Sequence, residues 1–102
     1  MFSGGDQSKI TNKIGGSIIH NIIINRFRNE TGFVVAGTSA GAMVMAKEMI
    51  AGGSAAEAFV KGAVSMYKGL GLIPELIIDT HFVKRGRFGR ISEAVAKFPN
   101  LI

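Results

Sequence analysis

The chain has no cysteine, which excludes a disulfide framework, thiol catalysis and Cys-ligated zinc. Long hydrophobic runs are also missing: the longest wholly apolar stretches fall far short of the ~20 residues a membrane helix needs. The opening residues, MFSGGDQ, do not read as a charged-then-apolar leader. A soluble, cytoplasmic protein with no membrane partner is the expectation. No internal repeat or low-complexity tract is present. Acidic side chains are few, 7 Asp and Glu against 12 Lys and Arg, for a formal charge of +5. The resulting pI of about 10.0 favours an anionic partner. The aromatic interleaving and fold signatures of nucleic-acid binding are absent, so nucleic acid is not the expected one.

What is there suits one globular piece: 102 residues, 47% of them apolar, with a mean hydropathy of +0.31. A chain of this length holds a single small core. Ser17 to Asn29, SIIHNIIINRFRN, places Ile18, Ile19, Ile22, Ile23 and Phe27 near helical spacing behind a capping serine. FVVAG, Phe33 to Gly37, reads as a short buried parallel strand, and AGAMVMAKEMI after it as a helix to about Ile50. A Gly-containing break follows from Ala51 to Ser54, then a weakly patterned stretch from Ala55 to Gly71. ELIIDTHF, Glu75 to Phe82, is a second strand. RFGRISEAVAKF follows with Phe88, Ile91, Val95 and Phe98 on one helical face, and PNLI begins another apolar run. The alternation predicts an α/β fold on an open, mostly parallel sheet.

Gly37-Thr38-Ser39-Ala40-Gly41 fits the G-x-S-x-G turn that lifts a serine out of a sheet between a strand and a helix. Glycines belong there because the turn needs unusual backbone angles and a close strand–helix approach. The serine Oγ would stand at a helix N-terminus, where backbone N–H groups can meet a developing oxyanion. A serine capping an ordinary strand–helix link has the same appearance. A nucleophile needs a base, and the chain has two histidines. His20 lies in an isoleucine-rich helix and reads as a residue without a catalytic task. His81 lies at the C-terminal end of the second strand, the edge where open α/β sheets gather ligands.

Asp79 precedes His81 by two residues on that strand, so it could orient the imidazole or meet a substrate cation. Arg85, Arg87 and Arg90 follow, together with Lys84, and suit a carboxylate or phosphate group. A solvated charged surface is the alternative. Gly4-Gly5-Asp6-Gln7 forms a candidate loop at the same edge, able to supply a second oxyanion donor and a substrate hydrogen bond from Gln7.

FSGGDQ, GTSAGAMVMA, GLGLIPELIIDTHF and RGRFGR, in this order, resemble the cyanophycinase family of serine peptidases, which also contains aspartyl dipeptidases. The resemblance covers nearly the whole chain, and the Asp-x-His-Phe-x-x-Arg-Gly-Arg-x-x-Arg string from Asp79 to Arg90 is its most specific part. It implies a three-layer α/β sandwich, flavodoxin-like or like class I glutamine amidotransferases. It further implies hydrolysis of β-aspartyl-arginine linkages without metal or cofactor. Ser39 would be the nucleophile and His81 the general base. Ala40 and the Gly5-Asp6 turn would form the oxyanion hole, while Gln7, Asp79, Thr80, Arg85, Arg87 and Arg90 would line the substrate pocket. The partner is then a peptide with aspartyl and arginyl groups, and a homodimer is compatible with the reading. If Arg87 only binds substrate, Arg87→Ala should raise KM more than it lowers kcat.

Thr80 stands where the family usually has glutamine, a difference that bears on substrate preference. The resemblance also places strands before the Gly-Gly-Asp turn and a triad glutamate after the strand that PNLI begins. Residues 1–102 are therefore expected to be the central part of one α/β domain, holding two of three triad members. An α/β-hydrolase shares the serine turn, but its order of serine, acid, histidine leaves little room for an acid-bearing strand between Ser39 and His81. The rival outside enzymes is a catalytically impaired piece or a binding module for acidic peptides.

Overall fold

The computed structural model describes residues 1–51 and 64–102. Most of the expected break and much of the weakly patterned stretch after it lie outside these residues. The first element is α1, Gln7–Ile14, capped by Asp6, whose carboxylate accepts from the Ser8 N–H at 2.9 Å. It is an addition to the sequence reading: Ile10 and Ile14, one turn apart, pack against the core from two turns of mostly polar residues. Gly15 and Gly16 end it, Gly16 at φ +73°.

Helix α2, Ile18–Asn29, forms where expected, with the Ser17 hydroxyl accepting from the His20 N–H. Ile23, Ile24 and Phe27 face the core, while Ile18, Ile19 and Ile22 are exposed. His20 has a structural task that its spacing did not disclose. Its Nδ1 accepts from the Gly16 N–H at 2.9 Å, so Nε2 carries the proton and donates to the Leu70 carbonyl at 2.7 Å. The imidazole thus ties the α1–α2 turn to the far side of the chain. At the C-terminus of α2, Arg26 forks Glu30 at 2.7 and 2.9 Å and lies 4.5 Å over the Phe33 ring. That hydrogen bond holds the Glu30 carboxyl below its ordinary pKa.

The chain then runs extended to Ser39. Phe2 and Gly37 form a parallel bridge, with Phe2 N donating to Ala36 O at 2.8 Å and Thr38 N to Phe2 O at 3.1 Å. Helix α3, Ala40–Met43, is a single turn. The expected helix to Ile50 stops there, because the backbone is claimed by pairing instead. Leu70 N donates to Val44 O, Ile73 N to Met45 O and Gly69 N to Lys47 O. Strand β1, Glu48–Ile50, then pairs antiparallel with β2, Met66–Lys68, placing Met49 opposite Tyr67. Gly69 is needed for this approach, since a Cβ there would lie 2.1 Å from the Ala46 carbonyl oxygen.

Residues 75–82 do not form the expected strand. Ile102 N donates to Glu75 O at 3.0 Å and Ile77 N to Ile102 O at 2.8 Å, the slanted pattern of a parallel pair beginning. Helix α4, Phe88–Lys97, matches the expectation for this segment. The chain is therefore α/β; a mostly parallel sheet is not formed among the described residues. Their one ladder is antiparallel and two-stranded, with isolated parallel bridges at Phe2–Gly37 and Ala46–Ile73. The expected buried strand from Phe33 to Gly37 is an extended segment with Val34 80% exposed, bridged only at Gly37; an apolar run marks a chain that can be covered, whereas a ladder also requires neighbours on its edges. The core gathers Met43, Val44, Met49, Ile50, Leu70, Leu72, Ile77 and Ala94 from residues 43–50, residues 70–77 and α4, with α1 and α2 packing partly buried isoleucines against it. No helix among the described residues is long and apolar enough to cross a membrane.

Candidate active site

Ser39 sits between the Phe2-bridged segment and α3 at φ +52°, ψ −120°, and among the described residues His81 is the other non-glycine residue with positive φ, at +56°. Each such angle costs on the order of 1–3 kcal/mol and survives only where its surroundings impose it. At Ser39 the glycines impose it: a Cβ on Gly37 would lie 2.2 Å from the Gly41 carbonyl oxygen, and one on Gly41 2.2 Å from the Phe2 carbonyl oxygen. The serine side chain makes no capping bond to α3. Its Oγ lies 3.0 Å from His81 Nε2 instead. A capping role for Ser39 is excluded by this geometry.

A cleft of about 280 Å³ surrounds the pair, lined by Gly5, Gln7, Ser39, Ala40, Met43, Thr80, His81, Arg85, Arg87 and Arg90. Nine of the eleven residues singled out from the sequence thus share one cavity, joined by Met43. Met43 follows Ser39 by four residues, the helical spacing that could have found it. Gly4 packs on the serine, an added Cβ there lying 3.3 Å from Ser39 Cβ, and Gly5 turns away at φ +135°. A larger groove of about 660 Å³, between α1, His20 and Lys68, contains neither Ser39 nor His81.

Asp6 and Asp79 do not line the cleft. Asp6 spends its carboxylate on capping α1. Asp79 is turned inward, its side chain 4% exposed, and is gripped by both Nε and Nη2 of Arg90. Its Oδ1 also accepts from the Thr80 N–H at 2.8 Å. Among the described residues, no carboxylate contacts His81 Nδ1. Arg87 donates to the Thr80 carbonyl and lies 3.7 Å from Asp79. Burial, with Arg90 and Arg85 nearby, holds its guanidinium below the ordinary pKa although Asp79 opposes this. Thr80 directs its hydroxyl to Met43 Sδ at 3.4 Å. Gln7 donates to the Ile50 carbonyl at 2.8 Å, which leaves its amide oxygen as the free acceptor.

A serine held at positive φ on a glycine-flanked turn, within hydrogen-bond reach of a histidine, is the arrangement of a nucleophile and its base. Comparison with known proteins decides the family. Residues 1–101 match Peptidase family S51. The chain belongs to Peptidase family S51. Among its family relatives, proteins named cyanophycinase from Trichormus variabilis and from a Nostoc species are each 45% identical over 98% of this chain. A third, from Geminocystis herdmanii, is 42% identical over 97% of it. The chain spans about a third of the length of these S51 relatives, 33%, 33% and 36% respectively.

Proposed function

We propose that this chain carries the nucleophile and base of a serine peptidase that cleaves β-aspartyl-arginine linkages. The observation that carries the reading is the 3.0 Å contact between Ser39 Oγ and His81 Nε2 at a strained serine turn. Its proposed setting is a three-layer, flavodoxin-like sandwich, extending the parallel pairings at Phe2, Ile73 and Ile102. His81 Nε2 takes the Ser39 proton as Oγ bonds to the β-linked carbonyl carbon. The oxyanion rests on N–H groups of Ala40 and of the Gly5-Asp6 turn; Ala40 opens α3, so its N–H has no helical partner. Collapse breaks the C–N bond, and the imidazolium gives its proton to the leaving amine. Water, deprotonated by His81, then releases the aspartyl product and restores Ser39.

Arg85 is exposed at the cleft and makes no ion pair among the described residues. It is the proposed ligand of a substrate carboxylate, with the Gln7 amide oxygen accepting from a substrate N–H. Arg85→Ala is expected to raise KM about 10- to 100-fold, the worth of one charged hydrogen bond, with kcat changed only a few-fold. Steady-state kinetics checks it, and an unchanged KM would remove Arg85 from the binding scheme. The test of the whole reading is arginine release from β-aspartyl-arginine by the protein that contains this chain. Release from the β-linked dipeptide and not from its α-linked isomer is expected; release from neither would sink the assignment. That no carboxylate among the described residues contacts His81 Nδ1 favours a second reading, a binding module for acidic peptides, which predicts retention of the dipeptide without turnover.

A further inference from the structure

We propose that Asp79, Arg87 and Arg90 act as a positioning clamp on the peptide that carries His81, and do not themselves bind substrate. The inference rests on the reading of Ser39 and His81 as a catalytic pair. Its starting point is how completely Asp79 is used. One oxygen accepts from Arg90 Nε at 2.8 Å, the other from the Thr80 N–H at 2.8 Å and from Arg90 Nη2, and the side chain is 4% exposed. A carboxylate with three donors on it, closed off from the cleft, has no face to offer a substrate guanidinium.

Arg87 works on the next atom along. Its Nη1 donates to the Thr80 carbonyl, so the Thr80 residue is held from both sides, its N–H by Asp79 and its C=O by Arg87. That carbonyl belongs to the peptide bond leading into His81, and its orientation sets the φ of His81. His81 sits at φ +56°, a region a β-carbon disfavours; the Ser39 hydroxyl meets its ring at 3.0 Å and the Arg85 N–H donates to its carbonyl at 3.0 Å, but neither contact fixes the peptide on its N-terminal side. Relaxation to an ordinary φ would swing the imidazole away from Ser39 Oγ. The clamp blocks this from within, and Arg90, 5% exposed on the first turn of α4, anchors it to the core. The arginines at 87 and 90 thus serve the base, while Arg85 remains free for the substrate.

The choice of variants follows from what each role requires. A single carbonyl can be held by any donor of similar reach, so lysine can replace Arg87 in the clamp. Bidentate grip on a substrate carboxylate needs the guanidinium fork, which lysine lacks. In the protein that contains this chain, assayed with β-aspartyl-arginine, Arg87→Ala is expected to lower kcat about 100-fold through misplacement of His81. Its KM should stay within about twofold, and Arg87→Lys should recover most of the kcat. A raised KM with kcat intact in both variants would overturn the clamp and restore Arg87 as a ligand. Should Arg87→Ala fail to fold, Arg87→Lys alone decides by the same split. Should the wild type show no turnover, the catalytic reading fails separately, and nuclear magnetic resonance of His81 tests the clamp. Its amide and imidazole signals shift in Arg87→Ala if the clamp exists and stay in place if it does not.

Discussion

His81→Ala is expected to lower kcat by about 10⁴- to 10⁶-fold in the protein that contains this chain, with Ser39→Ala equally damaging and the double variant no worse. The reasoning is geometric. His81 Nε2 is the nitrogen 3.0 Å from Ser39 Oγ, and the other histidine of this chain, His20, is committed to Gly16 and Leu70. Non-additivity is part of the prediction, because a nucleophile without its base and a base without its nucleophile are the same loss. Kinetics on the three variants checks it. A loss below tenfold in His81→Ala, or a double variant much worse than either single one, would mean that the contact is not catalytic.

The second large effect concerns folding. Gly41→Ala is expected to destabilise the fold by on the order of 3 kcal/mol or more. A Cβ at Gly41 would lie 2.2 Å from the Phe2 carbonyl oxygen, 2.5 Å from its carbon and 2.7 Å from the Ser3 carbonyl oxygen. All three are backbone atoms, so no rotamer change relieves the clash, and the Phe2–Gly37 bridge below Ser39 must open. Gly16→Ala is the comparison: nothing lies within 4 Å of its added Cβ, and only its φ of +73° is strained, worth about 1–2 kcal/mol. Urea unfolding of both measures the difference. Equal costs would show that close approach is not why glycine occupies position 41.

Much of the site was legible in the sequence because its signals are local. The glycines around Ser39 announce a strained turn, and that turn is present with Ser39 at φ +52°. His81 was expected at the end of a strand; it stands on a bend after a segment without a ladder, yet its Nε2 lies 3.0 Å from Ser39 Oγ. Residues that depend on contacts across the chain were harder to read. Asp79 has the spacing to face His81, yet Arg90, eleven residues on, turns it inward; spacing cannot weigh a buried ion pair. Asp6 read as part of an oxyanion turn, while its side chain caps α1, a helix whose polar composition hides it.

The same distinction governs the fold. Helices α2 and α4 show themselves by apolar spacing and by capping or helical faces. Residues 44–50 carry helix-favouring Ala and Met, but their carbonyls accept from Gly69, Leu70 and Ile73, and pairing overrides propensity. The parallel sheet expected from the apolar runs is represented here by single bridges, because its pairing depends on segments distant in the chain.

Whether Ser39 is a nucleophile activated by His81 is measured directly by covalent labelling. The protein that contains this chain is treated with a serine-reactive fluorophosphonate and the adduct is mapped by peptide mass spectrometry. The expected result is one phosphonylated residue, Ser39, with labelling lost in His81→Ala and much slowed in Arg87→Ala. Labelling elsewhere, or labelling of Ser39 that persists undiminished in His81→Ala, would contradict it.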